Sequence, residues 1–510
     1  MNHKRRIIPF LMALMLALSG CSGGKPPQMA DATATPSPTA EVTAAPEVTD
    51  TPKPTPTPTP IPQEMLFDIT VFPPTCQANG YSVYVSRETG GINVRDEVPR
   101  LQHDYGEWDI DMATGAMSRA CSMCGGEDKR RADGLPRLLL FGDTEALASL
   151  GEADMEVRFI HPGASDGFAG WARVNWSGYS DTARMKQDVR VRFFDDEALE
   201  QPHALTLLNG MALSEYPLSA NVIDSTQQRH MICARVWRQI GEKSAVGDSL
   251  PVTIYVNGDF RGLYALTLPP GALLYGMEPG QRQAAVTPAF DGRRTPMLDP
   301  NANWRVLFNG EGDEAWILDE LHDLADFLRN SPDADLHEQL RAYLDTDSAI
   351  DYMLFMYAMG LSQSSATDVA LLKYDYDPWI IAPFDMSDAF NLDADGASMA
   401  SDAFLPEKRS DGVWDSGTGS VLWNRLLNVF EDDVARRWAE LRQDVFTEEN
   451  LDQQVSALMD DMPATVFRAD RALYRRRALI SDPARQMRDF VHERLNILDG
   501  IFGNSESSVQ

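Results

Sequence analysis

The segment that most constrains the fold is Val252–Tyr264, in which β-branched and aromatic residues alternate around an Asn-Gly dipeptide. Asn257 and Gly258 suit the two central positions of a tight hairpin turn, where both residues need a positive φ. Alternation on either side of the dipeptide is typical of paired antiparallel strands. The sequence therefore predicts a two-stranded hairpin with its turn at Asn257-Gly258.

Length and charge narrow the class of protein. The 510 residues are too many for one ordinary hydrophobic core, so we expect two or more structured units and linkers. The formal net charge of -31 would repel phosphate groups, so we expect no nucleic-acid partner and no attraction to anionic lipid. This acidity is compatible with divalent-cation binding, although a solvated acidic surface accounts for most of it.

The first residues have the pattern of a targeting segment. Lys4-Arg5-Arg6 precedes the apolar run Ile7–Leu18, which is too short for a stable membrane span. The following Leu18-Ser-Gly-Cys21 resembles a bacterial lipobox. We therefore expect residues 1–21 to be a lipoprotein signal peptide and Cys21 to be lipidated. A cytosolic protein with a chance apolar start is the alternative.

Residues 22–63 are rich in Ala, Thr and Pro, and Pro occupies alternate positions near their end. Such a sequence favours extended polyproline II and predicts a stalk, although plain disorder fits it as well. Together with the leader, it predicts an extracytoplasmic protein of a Gram-positive-type bacterium. The protein would be attached to the cell membrane through a lipid anchor only.

Residues 64–134 are expected to form a separate module containing cysteine, histidine and tryptophan. Its segments Pro73–Cys76, His103–Trp108 and Arg119–Gly126 occur in an order that resembles a cysteine-rich repeat of surface proteins from anaerobic Gram-positive bacteria. The repeat is degenerate here, because Val85 and Glu88 stand where a further pair of cysteines would be expected.

Four residues of this module are candidate zinc ligands: Cys76, His103, Cys121 and Cys124. A Cys-x-x-Cys followed by Gly places two thiolates on one side of a tight turn, as in a Cys₃His zinc site. Two alternatives remain open: a disulfide between Cys121 and Cys124 in an oxidising setting, or an eroded repeat without metal. Cys233, in an apolar stretch, is expected to be a buried core thiol.

Residues 135–500 are expected to form one large α+β unit, followed by a disordered tail at residues 501–510. Strands are predicted at Leu135–Gly142, Met155–Ile160 and Val189–Phe194, and a helix at Asp224–Gly241. From Glu314 onward the pattern is mostly helical, with predicted helices at 316–330, 334–344, 348–360, 420–429, 433–446, 450–461 and 483–498. A strand-rich first half followed by a helix-rich second half suggests two lobes.

The hairpin sequence Val-Asn-Gly-x-x-Arg-Gly-Leu-Tyr resembles the signature hairpin of the spore-coat CotH-like kinase family, and further segments extend the resemblance over about residues 135–470. The resemblance implies a divergent protein-kinase-like, two-lobed fold. It also implies transfer of the γ-phosphate of ATP, with Mg²⁺ or Mn²⁺, to Ser or Thr of a surface or spore-coat protein.

The resemblance also implies residue roles. Lys186, which follows a small polar loop, would hold the phosphates of ATP. Trp379–Phe390 resembles the family's "PWDLDxSFG", so Asp385 would bind Mg²⁺ and Asp388 could help to bind the nucleotide. Asp393 and Asp395 lie nearby and could supply the second metal-binding carboxylate instead. Asp224–Arg229 resembles the family's "D.S..R" helix start, and Asp368 falls at an Asn-like position of the catalytic loop and is the catalytic candidate.

Three positions depart from the family pattern. Leu268 stands where a glutamate commonly follows the hairpin, and Ser387 stands at the second metal-binding Asp. The expected catalytic Asp falls near Gln363 or Ser364, neither of which can accept a hydroxyl proton near neutral pH as a carboxylate can. Three functions stay open: an active kinase, an inactive pseudokinase used as a surface binding or scaffold module, and a lipoprotein that binds cell wall or carbohydrate through residues 64–134.

Overall fold

The computed structural model describes residues 66–164, 167–177, 179, 185–241, 245–289, 296–299, 302–361, 369–460, 462–474 and 480–503. The leader, Cys21, the Thr/Pro-rich segment, Gln363, Ser364 and Asp368 lie outside these residues, as does most of the tail at 501–510. Within the described residues the chain is α+β, with 21 strands and 11 α-helices. No helix among them is long and apolar enough to cross a membrane.

The described chain divides into two units. The first comprises residues 66–70 and 83–95, and the second comprises residues 71–82 and 96–503. The first unit holds most of a three-stranded sheet formed in order by β1 (Phe67–Phe72), β2 (Gly80–Ser86) and β3 (Ile92–Val98). Every residue of β3 is exposed, so this sheet buries little apolar surface.

The second unit contains a small antiparallel sheet, in which the turn that holds Cys121 and Cys124 joins the second strand to the third. Its strands are β4 (Asp109–Ile110), β5 (Met117–Ala120) and β6 (Glu127–Arg130), in that order. An isolated antiparallel bridge between Tyr105 and Cys121 extends the pairing toward the turns.

A closed seven-stranded barrel follows. Its strands are β7 (Arg137–Phe141), β8 (Glu152–Ile160), β9 (Phe168–Asn175), β10 (Val189–Phe194), β13 (Glu215–Ser219), β14 (Ser249–Val256) and β15 (Asp259–Thr267). Around the barrel the order is β10-β13-β15-β14-β7-β8-β9. All neighbours are antiparallel except β7 and β14, which run parallel. Alternate residues of strands such as β8 are buried and fill the barrel with apolar side chains.

Shorter elements connect the strands of the barrel. Helix α1 (Thr144–Leu150) joins β7 to β8 and begins at Asp143, whose carboxylate accepts hydrogen bonds from the amides of Glu145 and Ala146. The hairpin of β11 (Leu205–Leu208) and β12 (Met211–Leu213) follows β10. Helix α2 (Arg229–Trp237) separates β13 from β14.

The predicted hairpin is confirmed. Asn257 and Gly258 have φ values of 50° and 86°, so both turn residues are left-handed as an Asn-Gly turn requires. Strands β14 and β15 pair on either side of it. Their register shifts where Ile254 pairs with Gly262 and Tyr255 with Phe260, which marks a bulge, and Gly262 adopts a φ of 126° there.

The rest of the second unit combines an antiparallel sheet with helices. The sheet has the order β17-β16-β18-β19, formed by β16 (Gln283–Pro288), β17 (Trp304–Asn309), β18 (Val369–Tyr374) and β19 (Ile380–Pro383). The helices are α3 (Ala272–Tyr275), α4 (Ala315–Asn330), α5 (Asp333–Gln339), α6 (Thr346–Met359), α7 (Val421–Val429), α8 (Glu431–Leu441), α9 (Glu448–Met459), α10 (Ala464–Leu473) and α11 (Pro483–Phe502). A short hairpin of β20 (Glu407–Lys408) and β21 (Trp414–Asp415) precedes α7. Helix α6 is buried along almost its whole length and forms the centre of the large apolar core.

Two local predictions differ from the structure. Helix α2 begins at Arg229 rather than Asp224, because Asp224 instead closes a turn by accepting hydrogen bonds from the amides of Thr226 and Arg229. Gln227, inside that turn, has a φ of 59°, which an α-helix cannot contain. Helix α10 was not predicted, because its apolar stripe is short and interrupted by Asp470.

Candidate functional site

The side chain of Lys186 is enclosed immediately before strand β10. Its Nζ lies 2.9 Å from Oδ1 of Asp470 in α10, and the exposed fractions of the two side chains are 0% and 1%. The same Nζ donates a hydrogen bond to the carbonyl oxygen of Leu263 in β15. The amide of Leu263 donates to Oδ1 of Asp470 at 2.9 Å. Lysine, carboxylate and one hairpin residue thus form a closed hydrogen-bonded triangle.

Aromatic rings line this triangle. The ammonium of Lys186 lies 4.3 Å from the ring centroid of Tyr264 and 5.8 Å from that of Tyr474, within the range of cation–π attraction. The hydroxyl of Tyr474 donates to the carbonyl of Arg261 at 2.6 Å. Burial, together with the nearby Tyr474 and Asp470, raises the pKa of Tyr264, so its hydroxyl stays neutral.

The glycine of the hairpin's Arg-Gly pair is needed for this arrangement. A Cβ atom at Gly262 would lie 2.7 Å from Oδ1 of Asp470, closer than real Cβ atoms come to a neighbour. Its φ of 126° is also one that other residues rarely adopt. Gly262 therefore allows the carboxylate of Asp470 to reach the backbone of β15.

Asp385 lies at a different place, on a cleft beside the end of β19. The described residues form a cleft of about 160 Å³, lined among others by Asp385, Ser387, Asp248, His230 and Leu268. Asp385 is exposed, and its Oδ1 accepts hydrogen bonds from both the amide and the hydroxyl of Ser387. Leu268 gives the cleft an apolar wall.

His230 fixes two loops of this cleft. Its Nε2 lies 2.9 Å from the carbonyl oxygen of Gly247, and its Nδ1 lies 3.4 Å from the amide nitrogen of Met386. These partners require Nε2 to carry the hydrogen and Nδ1 to accept one, which is the arrangement of a neutral imidazole. His230 therefore positions the backbone on either side of Asp385.

Asp388 belongs to a buried charged cluster with Asp224 and Arg229, none of which is more than 3% exposed. Arg229 lies 3.5 Å from Oδ1 of Asp224 and donates to the carbonyl of Ala389 and the side chain of Gln486. Burial raises the pKa of the neighbouring Cys233 thiol well above its usual value, and Asp388 adds to the effect. The cluster orders the loop after β19, and Cys233 is a buried thiol as predicted.

Asp393, another acidic candidate of this loop, stabilises the loop itself. Asp393 Oδ1 accepts hydrogen bonds from the amides of Asp395 and Ala397 at 2.9 and 2.8 Å, so its carboxylate closes its own turn. Asp385 is exposed whereas Asp388 is buried, so the two carboxylates face different surroundings. Within the described ranges, no group of three or more acidic, His or Cys side chains gathers around Asp385 closely enough to share a metal ion.

The four cysteine and histidine candidates do come together. Ligand atoms of Cys76, His103, Cys121 and Cys124 all lie within 4.8 Å of one another. Cys76 and Cys121 are buried, Cys124 is half-buried and His103 is exposed. Sγ of Cys124 lies 3.4 Å from Nδ1 of His103.

The thiols of this group differ in acidity. Burial raises the pKa of Cys76 to about 11, and the neighbouring Cys124 and Cys121 add to the effect. Burial also opposes ionisation of Cys121, but hydrogen bonds from His103 and from backbone amides outweigh it and lower the pKa of Cys121 to about 6.

The family model described as "CotH kinase protein" matches residues 177–498, which is more than half of the chain. The chain therefore belongs to the CotH kinase protein family. No curated protein matches this sequence. The matched region contains Lys186, the hairpin, Asp385 and Asp470, whereas the cysteine and histidine group precedes it.

The sequence pointed to Lys186 and Asp385 as candidates but not to Asp470, the partner of Lys186. The available signal was the spacing of α10: Val466, Phe467 and Asp470 share one buried helix face, at i, i+1 and i+4. A carboxylate on an otherwise apolar face needs a partner charge, because an unpaired buried carboxylate is strongly unfavourable. That partner is Lys186, 284 positions earlier in numbering, which no local pattern could indicate.

We predict that Lys186→Met lowers the free energy of unfolding by about 3–5 kcal/mol, because it leaves Asp470 buried without its counter-charge. Adding Asp470→Leu should restore most of the loss, since both charges are then gone. Urea unfolding followed by tryptophan fluorescence measures the effect. The matched control is Lys408→Met, whose pair with Glu431 is 43% exposed on each side and should be worth less than about 1 kcal/mol. Equal losses in Lys186→Met and Lys408→Met would contradict a structural role for the buried pair.

Gly262→Ala should destabilise the protein more than an alanine at another glycine of positive φ. Gly280→Ala is the control, because Gly280 has a φ of 85° and an added Cβ atom there would meet open space. This control should lower the free energy of unfolding by about 1–3 kcal/mol through backbone strain alone. The extra loss at Gly262 comes from the clash with Asp470, so it should shrink in an Asp470→Ala background. Thermal unfolding of the single and double variants measures both effects. An extra loss that is unchanged by Asp470→Ala would show that the clash is not its cause.

Proposed function

We propose that this chain is an inactive member of the CotH kinase family, a pseudokinase that serves as a binding or scaffold module at the cell surface. The observation that carries the proposal is the enclosure of Lys186 by Asp470 and Leu263. In this proposal the barrel is the first lobe of a divergent kinase-like fold, and the sheet and helices after β15 are the second.

The arrangement around Lys186 does not fit a nucleotide. In active protein kinases a lysine pairs with an acidic residue and also contacts the phosphates of ATP. Lys186 retains an acidic partner, but its side chain has no exposed surface, and its ammonium already meets a carboxylate, a carbonyl and a tyrosine ring. A phosphate could reach this ammonium only if the hairpin and α10 separated.

The surroundings of Asp385 fit a nucleotide–metal complex poorly. Mg²⁺ in such sites is held by one or two carboxylates together with phosphate oxygens. Asp385 is one exposed carboxylate, and Ser387, at the second position, is neutral and donates its hydroxyl hydrogen to Asp385. The cleft of about 160 Å³ is also smaller than the ~300 Å³ at which small-molecule pockets usually begin. We therefore derive no phosphoryl-transfer step for this chain.

The proposed location follows from the first residues of the sequence. A leader ending at Cys21 would leave a lipidated cysteine, and the Thr/Pro-rich segment would hold the folded part away from the membrane. A surface or spore-coat protein, or a cell-wall component, is then the proposed partner. The net charge of -31 favours such a partner over nucleic acid.

An active kinase is the second candidate, because Asp385, which the family resemblance assigns to Mg²⁺, is exposed on a cleft. Radiolabelled ATP distinguishes the two functions. We expect the full chain, incubated with ATP and Mg²⁺ or Mn²⁺, to label neither itself nor a serine-rich peptide. Asp385→Ala should leave that background unchanged. Label transfer by the original chain that disappears in Asp385→Ala would overturn the proposal.

Thermal unfolding gives an independent measurement. Because Lys186 is enclosed, ATP with Mg²⁺ should not raise the melting temperature, whereas a ligand that binds the native state would raise it in a concentration-dependent way. A rise that depends on Asp385 would show that the cleft accepts a nucleotide, and the argument from the enclosed lysine would then be wrong.

A further inference from the structure

We propose that Cys76, His103, Cys121 and Cys124 bind one structural zinc ion, and that this ion stabilises the segment that packs against the turn of the Asn257-Gly258 hairpin. The proposal concerns the cysteine and histidine group outside the matched family region and does not depend on whether the kinase fold is active.

The four ligand atoms already lie close to the separations that zinc requires. They are all within 4.8 Å of one another. A tetrahedral ion with Zn–S near ~2.3 Å and Zn–N near ~2.0 Å holds its ligand atoms roughly 3.5–3.8 Å apart, so an inward shift of about 1 Å completes the site. Three sulfur ligands and one imidazole favour zinc over Mg²⁺ or Ca²⁺, which prefer oxygen. Four protein ligands leave no open position, which is typical of a structural rather than a catalytic site.

Backbone hydrogen bonds hold the ligand-bearing turns in place. The amide of Leu101 donates to the carbonyl of Thr75 at 2.9 Å, which joins the turn of Cys76 to the chain before His103. The amide of Ser122 donates to the carbonyl of Asp104 at 2.8 Å, which joins the turns of His103 and Cys121. These bonds fix neighbours of the ligands, so the group is built by the fold and not by a chance approach of side chains.

The Cys-x-x-Cys turn has the form of a zinc knuckle. The amide of Gly125 donates to the carbonyl of Cys121, and the amide of Cys121 donates to the carbonyl of Gly126, both at 2.8 Å. The amide of Gly126 also points at Sγ of Cys124, 3.3 Å away. Gly125 has a φ of 67°, which a glycine adopts without strain. Amides directed at a sulfur stabilise the thiolate that a metal ion binds.

The chain from His103 to Arg130 carries the contact with the hairpin. A Cβ atom at Gly258 would lie 2.4 Å from the indole ring of Trp108, so the ring rests directly on the turn. Arg130 Nε donates to the carbonyl of Gly258 at 3.1 Å. The guanidinium of Arg119 lies 4.2 Å from the centroid of the Trp108 ring and covers it.

The same chain packs on the outside of the barrel. Met117 in β5 is buried in a small apolar cluster with Leu139, Ile160 and Tyr255 of strands β7, β8 and β14. The carbonyl of Gly115 accepts a hydrogen bond from the buried Arg137 at 2.6 Å. The segment from His103 to Arg130 is therefore attached to the barrel at several points.

A metal ion would supply the stability that this segment cannot obtain from its own core. Its strands β4, β5 and β6 contain only two to four residues each, and few of their side chains are buried. Sheets of this size need packing against another element or a cross-link to be stable. A closed zinc site would join three separate turns. The free energy of zinc binding would then contribute directly to folding.

Metal content tests the site. We expect the full chain, purified without chelator, to contain one zinc per chain by elemental mass spectrometry. Cys124→Ser and His103→Ala should each lose most of it. Cys233→Ala and His203→Ala are the matched controls, and both should retain it, because these residues lie outside the group. Absence of zinc from the original chain, or equal retention by Cys124→Ser and the controls, would overturn the proposal.

Cobalt substitution tests the site without relying on variants that could misfold. After zinc removal, one equivalent of Co²⁺ added to the original chain should give the intense visible bands of a tetrahedral ion and the near-ultraviolet bands of cobalt–thiolate bonds. One equivalent of Zn²⁺ should abolish both. A mass two units lower than the reduced chain, located between Cys121 and Cys124, would identify a disulfide and overturn the zinc assignment.

Hydrogen exchange tests the connection to the hairpin. Chelation should speed exchange of backbone amides in residues 103–130 and in the turn around Asn257-Gly258, while helix α6 keeps its protection. Restoring Zn²⁺ should reverse the change. Faster exchange confined to residues 103–130 would show that the ion stabilises only its own segment, and the proposed effect on the hairpin would be wrong.

Discussion

The buried ion pair of Lys186 and Asp470 is the interaction on which the arrangement of this protein depends. It joins a residue just before β10, the backbone of β15 and helix α10 at one point. Removing two charges from water costs free energy. Further hydrogen bonds offset this cost, because the carboxylate of Asp470 accepts one from the amide of Leu263 and the ammonium of Lys186 donates one to the carbonyl of Leu263. The barrel and the helical part are thus held together through the ammonium of Lys186, which the family resemblance assigns to the phosphates of ATP. A role on phosphate would compete with this structural role for the same ammonium hydrogens.

In the proposed pseudokinase, this competition would allow the family signature to persist without the family's chemistry. The Asn-Gly turn is retained because both residues need a positive φ, and Gly262 because a side chain there would meet Asp470. Neither requirement involves a substrate. The departures that the family resemblance implies lie elsewhere, at Leu268 on the cleft wall and at Ser387, which donates to Asp385. A sequence match based on the hairpin therefore identifies the fold more securely than the activity.

Local patterns predicted the local structure well. Val189–Phe194 alternates at period two in its first part and is a strand over the same residues. Cys76, His103, Cys121 and Cys124, which the resemblance to a cysteine-rich repeat singled out, lie together in the structure. The failures concern contacts between distant residues. The parallel pairing of β7 with β14 joins residues more than 110 positions apart and leaves no periodic signal in either strand. Asp470 interrupts a short apolar stripe on α10, and its partner Lys186 lies far away in sequence, so the pairing leaves no local pattern. A motif of rare residues such as cysteine is visible in the sequence, whereas an ion pair between two common residues that lie far apart is not.

The hairpin is held at two points along its length. Its turn contacts Trp108 and Arg130, which precede the barrel, and its bulge contacts Asp470 and Tyr474, which lie near the end of the second unit. A loop that closes over a nucleotide must be able to move, as glycine-rich loops do in kinases. Here chain segments from both ends of the second unit restrain the strands that flank the turn. The restraint suits a rigid recognition surface, because a surface that is ordered before binding loses less conformational entropy when a partner binds. In the proposed scaffold role, the contacts that enclose Lys186 would also keep this surface ordered before a partner binds.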